Sequence, residues 1–144
     1  MDVINSFTGK YRFLSNFWPC DVEMDGFKYK SVEAAYQASK TDIPALRTPF
    51  TNLSPSGAKQ LGKKLKLRPN WNQVKLVVMH KLLIQKFWPP TQVDRTELGT
   101  LLAETYPKEL IEGNYWGDTF WGVSSGVGEN HLGKLLMALR DHLL

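Results

Sequence analysis

A chain of 144 residues with 42% hydrophobic and 22% charged residues has the make-up of one soluble globular domain, here spanning 1–144. Its single cysteine, Cys20, excludes an internal disulfide and fits a reducing compartment; no apolar leader opens it and no run approaches a membrane span, so the reading is cytoplasmic, with no membrane partner. Net charge is +4, much of it from "KQLGKKLKLR", where Lys59, Lys63, Lys64, Lys66 and Arg68 could meet phosphates or simply form a solvated basic helix end.

The segment up to Lys30 reads as extended, with Asp25-Gly26 as a hairpin turn. Ser31 then caps a first helix that carries Glu33 in its first turn and stops before Pro44. "DIPALRTPFTNLSP" reads as a loop punctuated by Pro44, Pro49 and Pro55. Ser54-Pro55 opens a second helix, to about Lys64. A third begins after Asn70 and runs to about Phe87, with Val74, Val77, Val78 and Leu82 toward the core, and Pro89 and Pro90 ending it. A fourth spans about Asp94 to Glu104. After the irregular stretch "ELIEGNYWGDTFWGVSSGVGEN", Leu132, Leu135, Leu136, Leu139 and Leu143 mark a final helix. The sum is an α+β fold, mainly α-helical, with a small strand and hairpin component.

Within the first helix, "KSVEAAYQASK" places Glu33, Tyr36, Gln37 and Lys40 at i, i+3, i+4 and i+7. A carboxylate, a phenol, an amide and an amine thus share one stripe, which is either a solvated charged face or the wall of an active site. The surroundings favour the second reading. Arg12 and Asn16 sit among the aromatics of "RFLSNFWP", and Asp118 sits among Trp116, Phe120 and Trp121, a setting that suits a carboxylate to proton transfer and aromatics to stacking on a base. Metal chemistry finds no support, since His80, His131 and His142 lack ligand spacing. Cys20 has no base near it in sequence. Gly126 and Gly128 before the last helix resemble a phosphate-cradling loop, but such glycine pairs are unspecific and a flexible turn into the helix is the preferred reading.

In chain order, "FLSNFWP", "YKSVEAAYQASK", "SPSGAKQLGKK", "RPNWNQVKLVVMHKLLIQKF", "LIEGNYWGDTFWG" and "GENHLGKLLMALR" resemble the YbiA-like, or NADAR, family, from about Phe13 to Arg140. The resemblance implies a mainly helical α+β domain with N-glycosidase activity. It implies one of two substrate classes: ADP-ribose on guanine, removed from DNA or RNA, or phosphorylated ribosylamino-pyrimidine intermediates of riboflavin synthesis. Carried over by motif, Lys40 matches a lysine implicated in a Schiff-base route, Glu33 shuttles protons or activates water, and Asp118 assists. Tyr36 and Gln37 position sugar or base, Arg12 and Asn16 line the pocket, and Phe17 packs beside a base. Trp71 and Lys75 match a "W…K" pattern in which Lys75 reaches a phosphate. Trp121 and Gly122 match a "WG" motif, Asn130 a "GxN" motif, and Arg140 is a phosphate ligand or a structural ion-pair partner. No metal or organic cofactor is required. The chain departs from the pattern in carrying a second Trp-Gly pair, Trp116-Gly117, ahead of Asp118.

Direct hydrolysis led by Glu33 or Asp118 is the rival chemical route. A non-catalytic module for ADP-ribose or NAD-related nucleotides is the rival function, and a nucleic-acid binder with steep salt dependence is a third.

Overall fold

The computed structural model describes residues 2–89 and 96–144 as two compact units, one made of 2–15 with 96–144 and the other of 16–89. In chain order the elements are β1 (Val3–Ile4), β2 (Pro19–Met24), β3 (Phe27–Ser31), α1 (Val32–Ala38), α2 (Pro44–Arg47), α3 (Pro55–Gly62), α4 (Trp71–Phe87), α5 (Glu97–Glu104), β4 (Glu109–Leu110), β5 (Gly113–Asn114), β6 (Val123–Ser124) and α6 (His131–Leu143), with 3-10 turns at Gly9–Leu14 and Thr48–Asn52. Helices dominate and strands are short, as expected of a mainly helical α+β chain. Among the described residues no helix is long and apolar enough to cross a membrane.

In the 16–89 unit, β2 and β3 form an antiparallel hairpin closed by Asp25 and Gly26 at φ 52° and 86°. Two left-handed residues give the turn whose twist matches the strands. The free edge of β2 is covered by α4: the Glu23 N–H donates to Gln85 Oε1 at 2.7 Å, and Gln85 Nε2 donates to the Glu23 carbonyl at 2.6 Å. An amide side chain thus stands in for a missing strand. Ser31 ends β3 and caps α1, its Oγ accepting from the Ala34 N–H at 3.0 Å, and Ser54 caps α3 through Gly57 at 3.0 Å. Tyr29, Phe50, Met79, Leu82, Leu83 and Phe87 fill the core beneath these helices. Burial raises the Tyr29 phenol to about 12.

Three expectations need correction. Pro44 and Pro49 do not break structure; Pro44 opens α2 and Pro49 is the second residue of the 3-10 turn that follows, because proline suits the first turn of a helix. Gly9–Leu14 is 3-10 helical rather than extended. On α4, Val77 is 52% exposed, and the buried face runs through Trp71, Val78, Met79, Leu82, Leu83, Lys86 and Phe87. A lysine inside that face disguises its phase. The fourth helix starts at Glu97 under a Thr96 cap (3.1 Å to the Gly99 N–H); the Asp94 start and the Pro90 stop fall outside the described residues.

α3 meets α1 where Gly62 lies against the Gln37 amide, and a Cβ at Gly62 would fall on Gln37 Oε1. Gly62→Ala normally favours a helix; here it is expected to destabilise the protein by about 1–3 kcal/mol through overpacking, measured by urea unfolding.

In the other unit, β1 pairs in parallel with β4, and β5 in parallel with β6. The α6 face is buried through Leu132, Leu136, Leu139 and Leu143, with Leu135 less so.

Candidate active site

Every residue of α1 is buried, so the polar stripe is not a solvated salt-bridge face. Glu33 is 9% exposed and Gln37 5%, and Gln37 Nε2 donates to Glu33 Oε2 at 2.6 Å. Burying a carboxylate costs free energy unless donors meet it, and the i+4 amide is one such donor. Asn16 holds the other end of the helix: its carbonyl accepts from the Glu33 N–H at 3.1 Å, while its amide nitrogen donates to Met79 Sδ at 3.6 Å. Among the described residues, Asn16 Oδ1 and Gln37 Oε1 have no hydrogen-bond partner. An unmet buried acceptor carries a desolvation cost.

α1 ends at Ala38, and Lys40 follows in a tighter turn, its N–H donating to the Gln37 carbonyl at 3.2 Å. The Lys40 carbonyl accepts from the Arg68 N–H at 2.8 Å, which fixes the backbone from which the side chain springs. Its Nζ lies 5.8 Å from the Tyr36 ring centre, and that ring is tilted 54° against Trp71 with centroids 5.2 Å apart. Burial holds the Lys40 amine below the usual lysine range; Glu33 pulls it back up, while Lys63, Lys59 and Lys75 push it further down. Phe17 is 39% exposed under Lys59, whose Nζ sits 6.0 Å from the ring centre. Glu33, Tyr36, Gln37, Lys40, Asn16, Phe17, Trp71 and Lys75 thus all belong to the 16–89 unit, most of them on or against α1.

The remaining candidates, Arg12, Asp118, Trp121, Gly122, Asn130 and Arg140, belong to the other unit. Arg12 is exposed on the first 3-10 turn. Asp118 organises its loop, Oδ1 accepting from the Phe120 and Trp121 N–H groups at 3.2 and 3.0 Å. Asn114 closes the loop from the other side, accepting from the Asp118 N–H at 3.0 Å and donating to the Asp118 carbonyl at 2.9 Å. Asn130, left-handed at φ 53°, accepts from the Glu112 N–H at 3.0 Å and donates to the Leu110 carbonyl at 2.9 Å. The carbonyls of Phe120, Trp121 and Gly122 take the N–H groups of His131, Leu132 and Asn130, so these donors at the start of α6 serve the loop rather than a phosphate. Arg140 donates to Thr105 Oγ1 at 3.0 Å and to the Lys108 carbonyl at 2.7 Å, and lies 5.5 Å from the Tyr106 ring centre.

Sequence reasoning missed four residues. Glu112 lies against Gly122 and accepts from Asn114 Nδ2 at 2.9 Å. Lys59 and Lys63 stood out only as part of a basic run, and nothing local showed that they act on Lys40. Lys86 is 4% exposed and driven by burial to about 7, with Cys20 pulling it back up. Folding therefore gives Cys20 a basic neighbour that the sequence does not show. The thiol is raised by burial and lowered by Lys86. Of the two depressed lysines, Lys86 is sealed and only Lys40 retains access to solvent.

Comparison with known proteins places the chain in a family. The NADAR domain profile matches residues 5–144. The N-glycosidase YbiA of Escherichia coli (strain K12) is 36% identical over 137 residues, covering 92% of this chain and 82% of that protein. A riboflavin biosynthesis protein of Vibrio vulnificus (strain YJ016) is 32% identical over 135 residues, covering 91% of this chain and 35% of that longer protein. The NMR structure of E. coli YbiA matches with a TM-score of 0.82 at 35% identity, over 99% of this chain and 84% of that one. Matched by the domain over nearly its whole length, and aligned end to end with a solved relative, the chain belongs to the NADAR domain family.

Proposed function

We propose that this protein cleaves the bond between the anomeric carbon of a phosphorylated ribosyl group and a base nitrogen, with Lys40 as nucleophile and Glu33 as proton carrier. Its place among named N-glycosidases makes it a hydrolase of N-glycosyl bonds. The reading treats 1–144 as one catalytic domain, supported by a family match that runs over 5–144.

The observation that carries it is a partly buried amine just past the end of α1, disfavoured as an ammonium and influenced by the buried Glu33 carboxylate on the first turn of that helix. A neutral amine is the reactive form. In this scheme Glu33 passes a proton to the ribose ring oxygen as the C1′–O4′ bond opens. Lys40 Nζ adds to C1′, the base departs with a proton, and a C1′=N imine to Lys40 remains. Water adds to that carbon and expels the amine, so one water is consumed and ribose and base are released. The tilted Tyr36 and Trp71 rings, near Lys40, offer a wall for base or sugar.

For the substrate we favour ADP-ribose on guanine in nucleic acid, because Lys59, Lys63 and Lys75 act on Lys40 and the "KQLGKKLKLR" run adds further positive charge. The second reading, a riboflavin-pathway ribosylamino-pyrimidine phosphate, is favoured by the Vibrio relative's name. Purified protein offered both substrates separately decides between them by base release. The account expects faster release of ADP-ribose from the modified oligonucleotide, falling as salt rises. Faster cleavage of the pyrimidine phosphate, insensitive to salt, reverses the preference. Cleavage of neither leaves the nucleotide-binding module.

A further inference from the structure

We infer that Lys59, Lys63 and Lys75 are positioning residues for this reaction, three ammonium groups brought from α3 and α4 toward Lys40 so that its amine is held ready to attack. The inference rests on the reading of Lys40 as nucleophile, but it stands on its own geometry. α3 touches α1 where Gly62 meets Gln37, one turn before Lys40; Lys59 lies one turn before Gly62 on α3, and Lys63 follows Gly62 directly as the helix C-cap. Lys59 is independently placed by its position over Phe17. α4 touches α1 where Trp71 meets Tyr36, and Lys75 follows Trp71 by one helical turn. Both elements therefore carry lysines close to where they touch α1.

Around Lys40 the facing charged groups are Glu33 from α1, Lys59 and Lys63 from α3, and Lys75 from α4. Arg68, whose N–H holds the Lys40 carbonyl, has its own guanidinium paired with Asp42 at 3.2 Å. Burial is the largest cause holding the ammonium down; Glu33 opposes it, and each of the three cations adds to it. Burial alone would also disfavour the ammonium, but only by removing water. The lysines add a field that a charge-preserving substitution keeps and a neutral one removes.

The test reads Lys40 directly and needs no turnover. Trace acetic anhydride labelling, followed by peptide mass spectrometry from about pH 6 to about pH 11, gives the reactivity profile of each lysine amine. In Lys59→Gln/Lys63→Gln the Lys40 profile is expected to move to higher pH, with labelling near neutrality slowed roughly tenfold. Lys59→Arg/Lys63→Arg should restore it, and Glu33→Gln should move it the opposite way. Lys75→Gln gives an independent reading should the double variant fold poorly. A Lys40 profile unchanged by the neutral substitutions, or shifted as much by arginine as by glutamine, overturns the inference. Failure of the nucleophile reading would show itself elsewhere, as wild-type base release that survives Lys40→Ala.

Discussion

Replacing Lys40 by alanine is expected to reduce base release on the order of a thousandfold or more, without loss of the fold. The fold should survive because what the structure uses at this position is backbone: the carbonyl bonded to Arg68 and the N–H bonded to Gln37, both retained by alanine. The side chain is only partly buried, and removing it relieves repulsion from Lys59, Lys63 and Lys75. Glu33→Gln is the complementary variant. Its amide oxygen can still accept from Gln37 Nε2 and the Ser31 cap is untouched, so α1 stays packed while the proposed proton carrier is gone; a loss on the order of 10²–10⁴-fold is expected. The pH profile should separate the roles. With Lys40 as the proposed free-amine nucleophile and its ammonium disfavoured, the wild-type rate is expected to rise with pH and level off below the usual lysine range. Kinetics on both variants beside thermal melting checks this; loss of activity accompanied by loss of the melt would assign Lys40 to structure.

Lys86→Met is expected to stabilise the protein by about 3 kcal/mol near neutral pH. Burial lowers the Lys86 amine from 10.5 to about 7. Between those values the unfolded chain binds a proton that the folded chain does not, so wild-type stability rises with pH across that window. Below it the folded protein bears a penalty of about 5 kcal/mol for the buried charge, at about 1.4 kcal/mol per unit. Methionine matches the lysine stem and removes the charge; loss of the contact with Phe87, whose ring centre lies 4.9 Å from Nζ, and of the influence on Cys20 subtracts from the gain. The gain should shrink toward zero as pH approaches the usual lysine range. Urea unfolding of both proteins at several pH values checks it, and a variant less stable than wild type at neutral pH would show that the amine is held by contacts worth more than its desolvation.

What the sequence made legible is what neighbours along the chain decide. Asp25-Gly26, the Ser31 and Ser54 caps and the Trp71–Phe87 helix all rest on residues within a turn of one another. So does the stripe from Glu33 to Lys40, which survived even though α1 ends at Ala38, because the following tight turn keeps Lys40 beside Gln37. What was not legible depends on distant partners. The two-residue strands β1 and β4 lie about a hundred residues apart in sequence and have no pattern of their own. Lys86 reads as a surface lysine until β2 closes over α4, which also gives Cys20 its basic neighbour. The basic run read equally as a phosphate-meeting patch or a solvated helix end, and neither reading showed that α3 docks on α1 at Gly62. For Asp118, aromatic neighbours suggested chemistry, while the geometry shows a carboxylate oxygen that already accepts two backbone N–H groups.

The most direct test of the central claim is borohydride trapping during turnover, with the adduct located by peptide mass spectrometry. The account predicts a stable secondary amine joining the substrate's ribosyl carbon to Lys40, absent when Lys40 is alanine. Base release at full rate with no trapped adduct, or an adduct that persists in the alanine variant, would contradict it and pass the chemistry to direct hydrolysis led by a carboxylate.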